Sequence, residues 1–393
     1  MSIKLKSITM LLRMASMNAP IRIDSKPGVL IIGPYPPPYG GVATVIKSLS
    51  QQDVLADKFS LSLYKIGRKH ASTSFMAQFC IDLNHVLRFP LDKRARSSKI
   101  IHIHTASYWS FVRSIPYVVI SKSILNSKVI LHIHGAEFHL FYKNSNIFLK
   151  AIIKKILRMN DAIIVTSPAW IEVINKILGD TRIPVYPLPN GYEAKVFFPL
   201  PITECREKLN LPKNIRILVT IGHLEDYKGH KYLIDAIKLL VPEKKDIAAY
   251  VIGKGSLKDS LTKQIQENKL EDYVILAGGD KSDDEIPLWM NACDIFVLPS
   301  LNEGNPTVMF EALGCSKPFV GTRVGGVPDI IVSESYGLLV EPANSKDLAD
   351  KIKAALEKDW NKQEISQYAS QFTWENISKK MITIYESVIN HPD

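Results

Sequence analysis

Cysteine is scarce in this chain, with four residues in 393 and no Cys-x-x-Cys pair among them. Neither a disulfide-stapled secreted scaffold nor a Cys-x-x-Cys redox motif fits that usage, and a reduced, cytosolic protein is the simplest reading. Long apolar runs are also missing: no stretch reaches the roughly 20 residues that span a bilayer. The run Ile8–Leu12 is broken by Arg13 and has no convincing cleavage site after it, so a signal peptide is not expected. Residues 1–27 read as a leader, either a basic helix lying on a membrane or a disordered segment. Acidic residues are depleted in the first half. Residues 1–200 hold 26 Lys and Arg against 10 Asp and Glu (+16), and residues 201–393 hold 23 against 29 (−6), which together give +10. The basic half suits an anionic partner: a phospholipid surface, a lipid diphosphate or nucleic acid. No groove-reading motif or stacking pattern accompanies the charge, so no nucleic-acid partner is expected. A solvated, lysine-rich surface accounts for the same excess.

What the sequence does contain is two series of alternating strands and helices, the pattern of parallel sheets with crossover helices. Strands are expected at Gly28–Gly33, Leu61–Ile66, Lys99–His104, Lys128–His134, Asp161–Thr166 and Val185–Leu188. A second series runs Ile215–Gly222, Ile247–Gly253, Tyr273–Ala277, Asp294–Leu298 and Pro318–Thr322. A length of 393 residues exceeds one ordinary core. Two Rossmann-like α/β domains are therefore expected at 28–195 and 196–374, joined by the Pro-rich segment Glu193–Pro201. A helix over 375–393 has apolar residues at helical spacing.

The segment Pro299-Ser-Leu-Asn-Glu303-Gly-Asn-Pro-Thr-Val-Met-Phe-Glu311-Ala-Leu-Gly314 places two carboxylates eight positions apart. The residues before it predict a buried strand, Asn302–Pro306 a turn and Thr307–Gly314 a helix. Ligands of open α/β sheets bind at the carboxyl ends of strands, with phosphates near helix N-termini. Glu303 therefore sits where a polar ligand lies. Lone glutamates are usually solvated, so the spacing gains meaning only from its surroundings. Those are Lys317–Thr322, a short strand, and the Gly325-Gly326 loop.

Together these segments resemble the retaining, nucleotide-sugar-dependent glycosyltransferases of family 4, and the likeness runs from Gly33 to about Val388. The resemblance implies the GT-B fold, two Rossmann-like domains facing a central cleft, with the C-terminal helix packed back on the first domain. It implies that Glu303 and nearby amides hold donor-sugar hydroxyls. Glu311 then holds the nucleotide ribose, beside Gly304, Asn305, Pro306 and Thr307. Gly40-Gly41 opens a helix after the first strand, where backbone amides can approach a phosphate. The resemblance turns that loop toward the donor diphosphate. Lys228 matches the family's phosphate-clamping lysine, whereas His223 stands where the family has arginine, removing a bidentate fork. A protonated His223 would replace it in part; a histidine that only packs locally is the other reading.

His102-Ile-His104 and His132-Ile-His134 end two successive strands, and alternation sets all four imidazoles on one face. A zinc hydrolase is one reading of such pairs. Only Glu137 follows closely as a carboxylate, and no metal is expected. The resemblance assigns His134 to the transferred sugar, making Glu303, His134 and Lys228 the catalytic set. His102 and His132 read as buried structural residues, and His104, Tyr108, Trp109 and Glu137 as acceptor contacts on the rim. Lys150, Lys154, Lys155 and Arg158 form one basic helical face beside Phe148 and Ile152, either a membrane-docking helix or an ordinary amphipathic one.

The function implied is transfer of a hexosyl unit from a nucleoside diphosphate sugar to a glycan or lipid-linked acceptor, with retention and without cofactor or metal. The implied setting is bacterial surface polysaccharide or glycolipid synthesis, in the cytoplasm or at the inner membrane face. A nucleotide-sugar epimerase or hydrolase of the same fold, or a metal hydrolase using the histidine pairs, is the alternative.

Overall fold

The computed structural model describes residues 26–37, 40–67 and 74–391, so nearly all of the leader lies outside the described residues. Strands β1 (Gly28–Gly33), β2 (Ser60–Lys65), β3 (Ile100–Thr105), β4 (Lys128–Ile133), β5 (Ala162–Val165) and β6 (Val185–Pro187) form one sheet, ordered β2-β1-β3-β4-β5-β6. A second sheet comprises β7 (Arg216–Ile221), β8 (Ile247–Ile252), β9 (Val274–Gly278), β10 (Ile295–Leu298), β11 (Phe319–Thr322) and β12 (Gly337–Val340). Its order is β12-β11-β10-β7-β8-β9. Every strand pairing is parallel. Unbroken apolar runs such as Val29–Ile32 and Ile247–Ile252 are what strands buried on both faces require.

Eleven of these strands lie within one or two residues of the ranges expected from sequence. The twelfth, β12, was not expected. It is four residues long and pairs only with β11 at the sheet's edge, too short to carry a readable period. The winding reverses between β1 and β3 in the first sheet and between β7 and β10 in the second. Crevices at such reversals are where open α/β sheets bind ligands.

One face of the first sheet is covered mainly by two helices. Val29, Ile31, Ile100 and Ile130 pack with Val45 and Ile46 of helix Gly41–Ser50 and with Trp374, Ile377, Met381 and Tyr385 of helix Trp374–Asn390. Thr373 caps the latter helix by accepting from the Asn376 amide. The chain thus crosses between the sheets twice, and the two passes lie side by side. The Tyr192 amide donates to the Phe372 carbonyl and the Trp374 amide to the Tyr192 carbonyl, each at 3.0 Å. No helix among the described residues is long and apolar enough to cross a membrane.

Met381 is fully buried between the helix and the sheet. Met381→Ala is expected to cost about 2–5 kcal/mol in guanidinium unfolding, from lost transfer energy and the cavity left behind. A loss below about 1 kcal/mol would mean that the helix does not share the sheet's core.

Candidate active site

The loop after β10 is gripped from several sides. Gly229 has φ +66°, and a Cβ there would lie 2.0 Å from the Pro299 carbonyl, so only glycine lets the Lys228-Gly229 turn seat on this backbone. The Leu301 amide donates to the Tyr227 carbonyl at 2.7 Å, stitching the two loops together. On the other side Gly325, at φ +53°, passes so close to Glu303 that a Cβ would sit 1.7 Å from its carbonyl oxygen. The Thr322 hydroxyl donates to the Ser300 carbonyl. From the first sheet's side, the Asn190 amide donates to Asn305 Oδ1 (2.7 Å) and the Asn190 side chain to the Asn305 carbonyl (2.5 Å).

This grip delivers one ion pair. Lys228 Nζ lies 2.6 Å from Glu303 Oε1, and the Ser300 hydroxyl donates to the same oxygen at 2.8 Å. Both charged side chains are largely buried, so the contact is shielded from the screening that weakens surface pairs.

The pair lines a cleft of about 520 Å³, within the range of small-molecule sites. Gly40-Gly41, His134, Thr166 and Asn190 line it from one side, each just beyond the carboxyl end of a first-sheet strand. His223, Lys228, Lys254 and the loop Glu303–Val308 line it from the other. Two helix starts open here, Gly41 and Thr307, and neither has a side-chain cap, so their first amides are unclaimed. A Cβ on Gly40 or Gly41 would meet nothing within 4 Å, so packing does not demand glycine at either position.

Glu311 does not line this cleft; it lies one helical turn beyond Thr307 on the same face. Its carboxyl has no hydrogen-bond partner among the described residues, and burial pushes its pKa up to about 7. His223 is exposed on the cleft wall, and its carbonyl is within 3.1 Å of His230 Nε2.

His102, His104 and His132 form a buried column beneath the half-buried His134. Their rings stack or tilt on one another, with His132 and His134 centroids 4.0 Å apart. His102 Nδ1 meets the Tyr385 hydroxyl at 2.7 Å at the bottom, and His104 Nδ1 meets His134 Nε2 at 2.8 Å at the top. His104 Nε2 is buried without a partner. If His134 donated, His104 would be left with a buried, unpaired N–H. The less costly arrangement has His104 donating and His134 carrying its proton on Nδ1. Sequence reading took His104 for an acceptor contact. The structure corrects this: His104 is buried behind His134 and hydrogen-bonds to that ring.

The other rim expectations also shift. Glu137 accepts from Asn302 Nδ2 at 2.8 Å across the seam between the two sheets' loops, and the exposed Tyr108 ring packs on Phe141 with centroids 5.3 Å apart. Neither they nor Trp109 line the cleft. Lys254 and Tyr227 do, and sequence reading missed both. Lys254 follows β8 directly, so its place at a strand's carboxyl end was the available signal.

His102, His104 and His132 have ring nitrogens within 4.8 Å of one another, the outline of a three-histidine metal site. The group holds no carboxylate or thiolate, and the Tyr385 hydroxyl occupies His102 Nδ1.

Burial instead keeps the column neutral: His102 and His134 are lowered from 6.5 to about 3, and His104 and His132 also fall well below 6.5. The unfolded chain takes up protons first on acidification. Stability is therefore full above about pH 7 and falls as the pH drops from 6.5 towards 3, where His102 and His134 take up their protons in the folded protein. Glu311, raised from 4.5 to about 7, acts in the opposite sense but is one group against four. The melting temperature should drop between pH 7.5 and 5.5; an unchanged value would refute the neutral column.

Residues 201–372 match the family described as Glycosyl transferases group 1. An uncharacterised glycosyltransferase of Methanocaldococcus jannaschii is 32% identical over 172 residues, 43% of this chain and 47% of that protein. The putative teichuronic acid biosynthesis glycosyltransferase TuaC of Bacillus subtilis is 30% identical over 233 residues, 57% of this chain and 54% of that one. The chain thus spans about half the length of these two relatives. Among solved structures, HepE of Anabaena in complex with UDP superposes with a TM-score of 0.72 at 20% identity, covering 92% of this chain and 100% of that one. Residues 201–372 thus carry a likeness to the group 1 glycosyltransferases, and the two sheets are those of the GT-B fold.

Proposed function

We propose that this protein is a family 4 enzyme that moves a hexosyl unit from a nucleoside diphosphate sugar to a hydroxyl of a glycan or lipid-linked acceptor, with retention of anomeric configuration. The observation that carries this reading is the Lys228–Glu303 pair, lying in one cleft with two uncapped helix starts. A diphosphate entering that cleft competes with Glu303 for Lys228. Once Lys228 turns to the phosphates, Glu303 is released to accept hydrogen bonds from sugar hydroxyls. Negative charge growing on the leaving diphosphate is stabilised by Lys228 and the Gly41 helix start. His134 and Glu303 orient the sugar, which is chiefly a positioning effect. Glu311, unpartnered beside Thr307, takes the ribose hydroxyls. The acceptor's proton passes to the departing phosphate oxygen, so no separate base is needed. Lysine and helix dipoles supply the positive charge, and the reading calls for no metal.

The wider setting proposed is bacterial surface polysaccharide or glycolipid synthesis from the cytoplasm, at the inner membrane face. The likeness to the putative teichuronic acid biosynthesis glycosyltransferase of Bacillus and the +16 charge of residues 1–200 support it.

The test is nucleoside diphosphate release from UDP-, GDP-, ADP- and dTDP-sugars, run in EDTA with and without a lipid extract. Release from one donor is expected to rise with lipid and to fall about 100-fold or more in kcat in Glu303→Ala, while Glu311→Ala mainly raises donor KM. Release that needs no acceptor would favour the epimerase or hydrolase, and loss in EDTA would favour a metal enzyme. His223→Arg is expected to keep or raise activity. An inactive variant would give His223 a role that arginine cannot fill.

A further inference from the structure

Helix Phe75–Arg88 carries its polarity the wrong way round for a globular protein. Its inward face carries polar groups beside Val86: Asp82 pairs with Arg113 at 3.0 Å, Gln78 Nε2 donates to Asp82 Oδ1 at 2.9 Å, and the His85 carbonyl accepts from the Tyr64 hydroxyl at 2.6 Å. Its outward face is apolar. Met76, Phe79, Leu83 and Leu87 are 67%, 46%, 48% and 65% exposed, with the exposed Cys80 among them. Their spacing sets them on one stripe, the arc that ordinarily faces a core.

Basic side chains cluster past the end of the stripe, at Arg88, Lys93 and Arg96, with Arg94 paired to Asp92 at 2.6 Å and Leu91 exposed beside them. A second helix, Ile147–Arg158, exposes Ile147, Phe148 and Ile152 next to Lys150, Lys154 and Lys155. Both helices contact helix Trp109–Ser123, which lies between them. The only acidic side chain within Phe75–Arg88, Asp82, is turned inward to Arg113.

We propose that helix Phe75–Arg88 seats its Met76-Phe79-Leu83-Leu87 stripe in an anionic phospholipid bilayer, with helix Ile147–Arg158 as a second contact. An apolar face with basic flanks is the pattern of helices that lie in the membrane interface. The excess of 26 basic over 10 acidic residues in residues 1–200 supplies the matching charge, at roughly 1 kcal/mol for each basic residue near anionic lipid. This deepens the membrane-side setting proposed above by naming the surface that makes the contact.

Cys80 is the one exposed cysteine of the four and lies in the middle of the stripe, so it serves as a built-in reporter. The full chain, labelled there with an environment-sensitive dye, is mixed with vesicles of phosphatidylglycerol and phosphatidylcholine. Co-sedimentation and a blue shift are expected, both weaker on phosphatidylcholine alone. Leu83→Ser with Leu87→Ser should weaken binding at least tenfold, as two leucines lose their apolar transfer energy. Leu239→Ser, an equally exposed leucine of the second half, should leave binding unchanged. Unaltered melting temperatures establish that the variants fold.

Three results would overturn the proposal. One is no vesicle binding; another is binding without a dye shift and without loss in the leucine variant, which is surface adsorption by lysines. The third is self-association abolished by the leucine variant in the absence of lipid, which makes the stripe a contact between copies. Nucleotide release without lipid is followed in parallel, so failure of the transferase reading and failure of this one are separable.

Discussion

Everything at the cleft depends on holding one loop, Pro299–Asn305, against its neighbours. Glu303 is a buried carboxylate, and an uncompensated charge in that position would cost several kcal/mol. Its partner Lys228 arrives only because Gly229 lets the preceding turn seat on the Pro299 backbone, and Gly325 closes the opposite side at a distance no side chain tolerates. Asn190, from the first sheet, completes the hold through Asn305. The contact between the two halves and the placement of the central charges are therefore one piece of construction. A change in how the halves meet alters the carboxylate's surroundings directly.

Much of this was legible in the sequence, because the strands are long apolar runs and runs of that kind have few alternatives. β10, its turn and the helix Thr307–Gly314 could be read residue by residue, and the Glu303 to Glu311 spacing pointed to the cleft. What escaped was of two kinds. β12 is too short to show a period. Relations set by depth also escaped: alternation places His102, His104, His132 and His134 on one face but does not say which of them reaches solvent. His104 was misread for that reason, and the tautomer it imposes on His134 depends on a partner 30 residues away. The two packing glycines were visible as letters, but their demand comes from carbonyls 70 and 22 positions further along or back, at Pro299 and Glu303.

Helix Phe75–Arg88 escaped for the converse reason. Its hydrophobic periodicity is that of any amphipathic helix, and periodicity reports that one face is apolar without reporting which way that face points. Only the Asp82–Arg113 pair and the Tyr64 hydrogen bond show that the polar side is the inner one. The basic excess of the first half, read in the sequence as a property of bulk charge, gains a location once the orientation of this helix is known.

The double crossing between the sheets bears on how the protein is made. Because helix Trp374–Asn390 belongs to the first sheet's core, the whole second sheet is an insertion between two parts of the first. A ribosome delivers β1 to β6 more than 180 residues before the helix that covers Val29, Ile31, Ile100 and Ile130. At synthesis rates of about 5–20 residues per second, that apolar face waits on the order of ten seconds or longer for its cover. The second sheet, contiguous in the chain, can close first. The nascent first half is thus the stage at which a chaperone has something to bind.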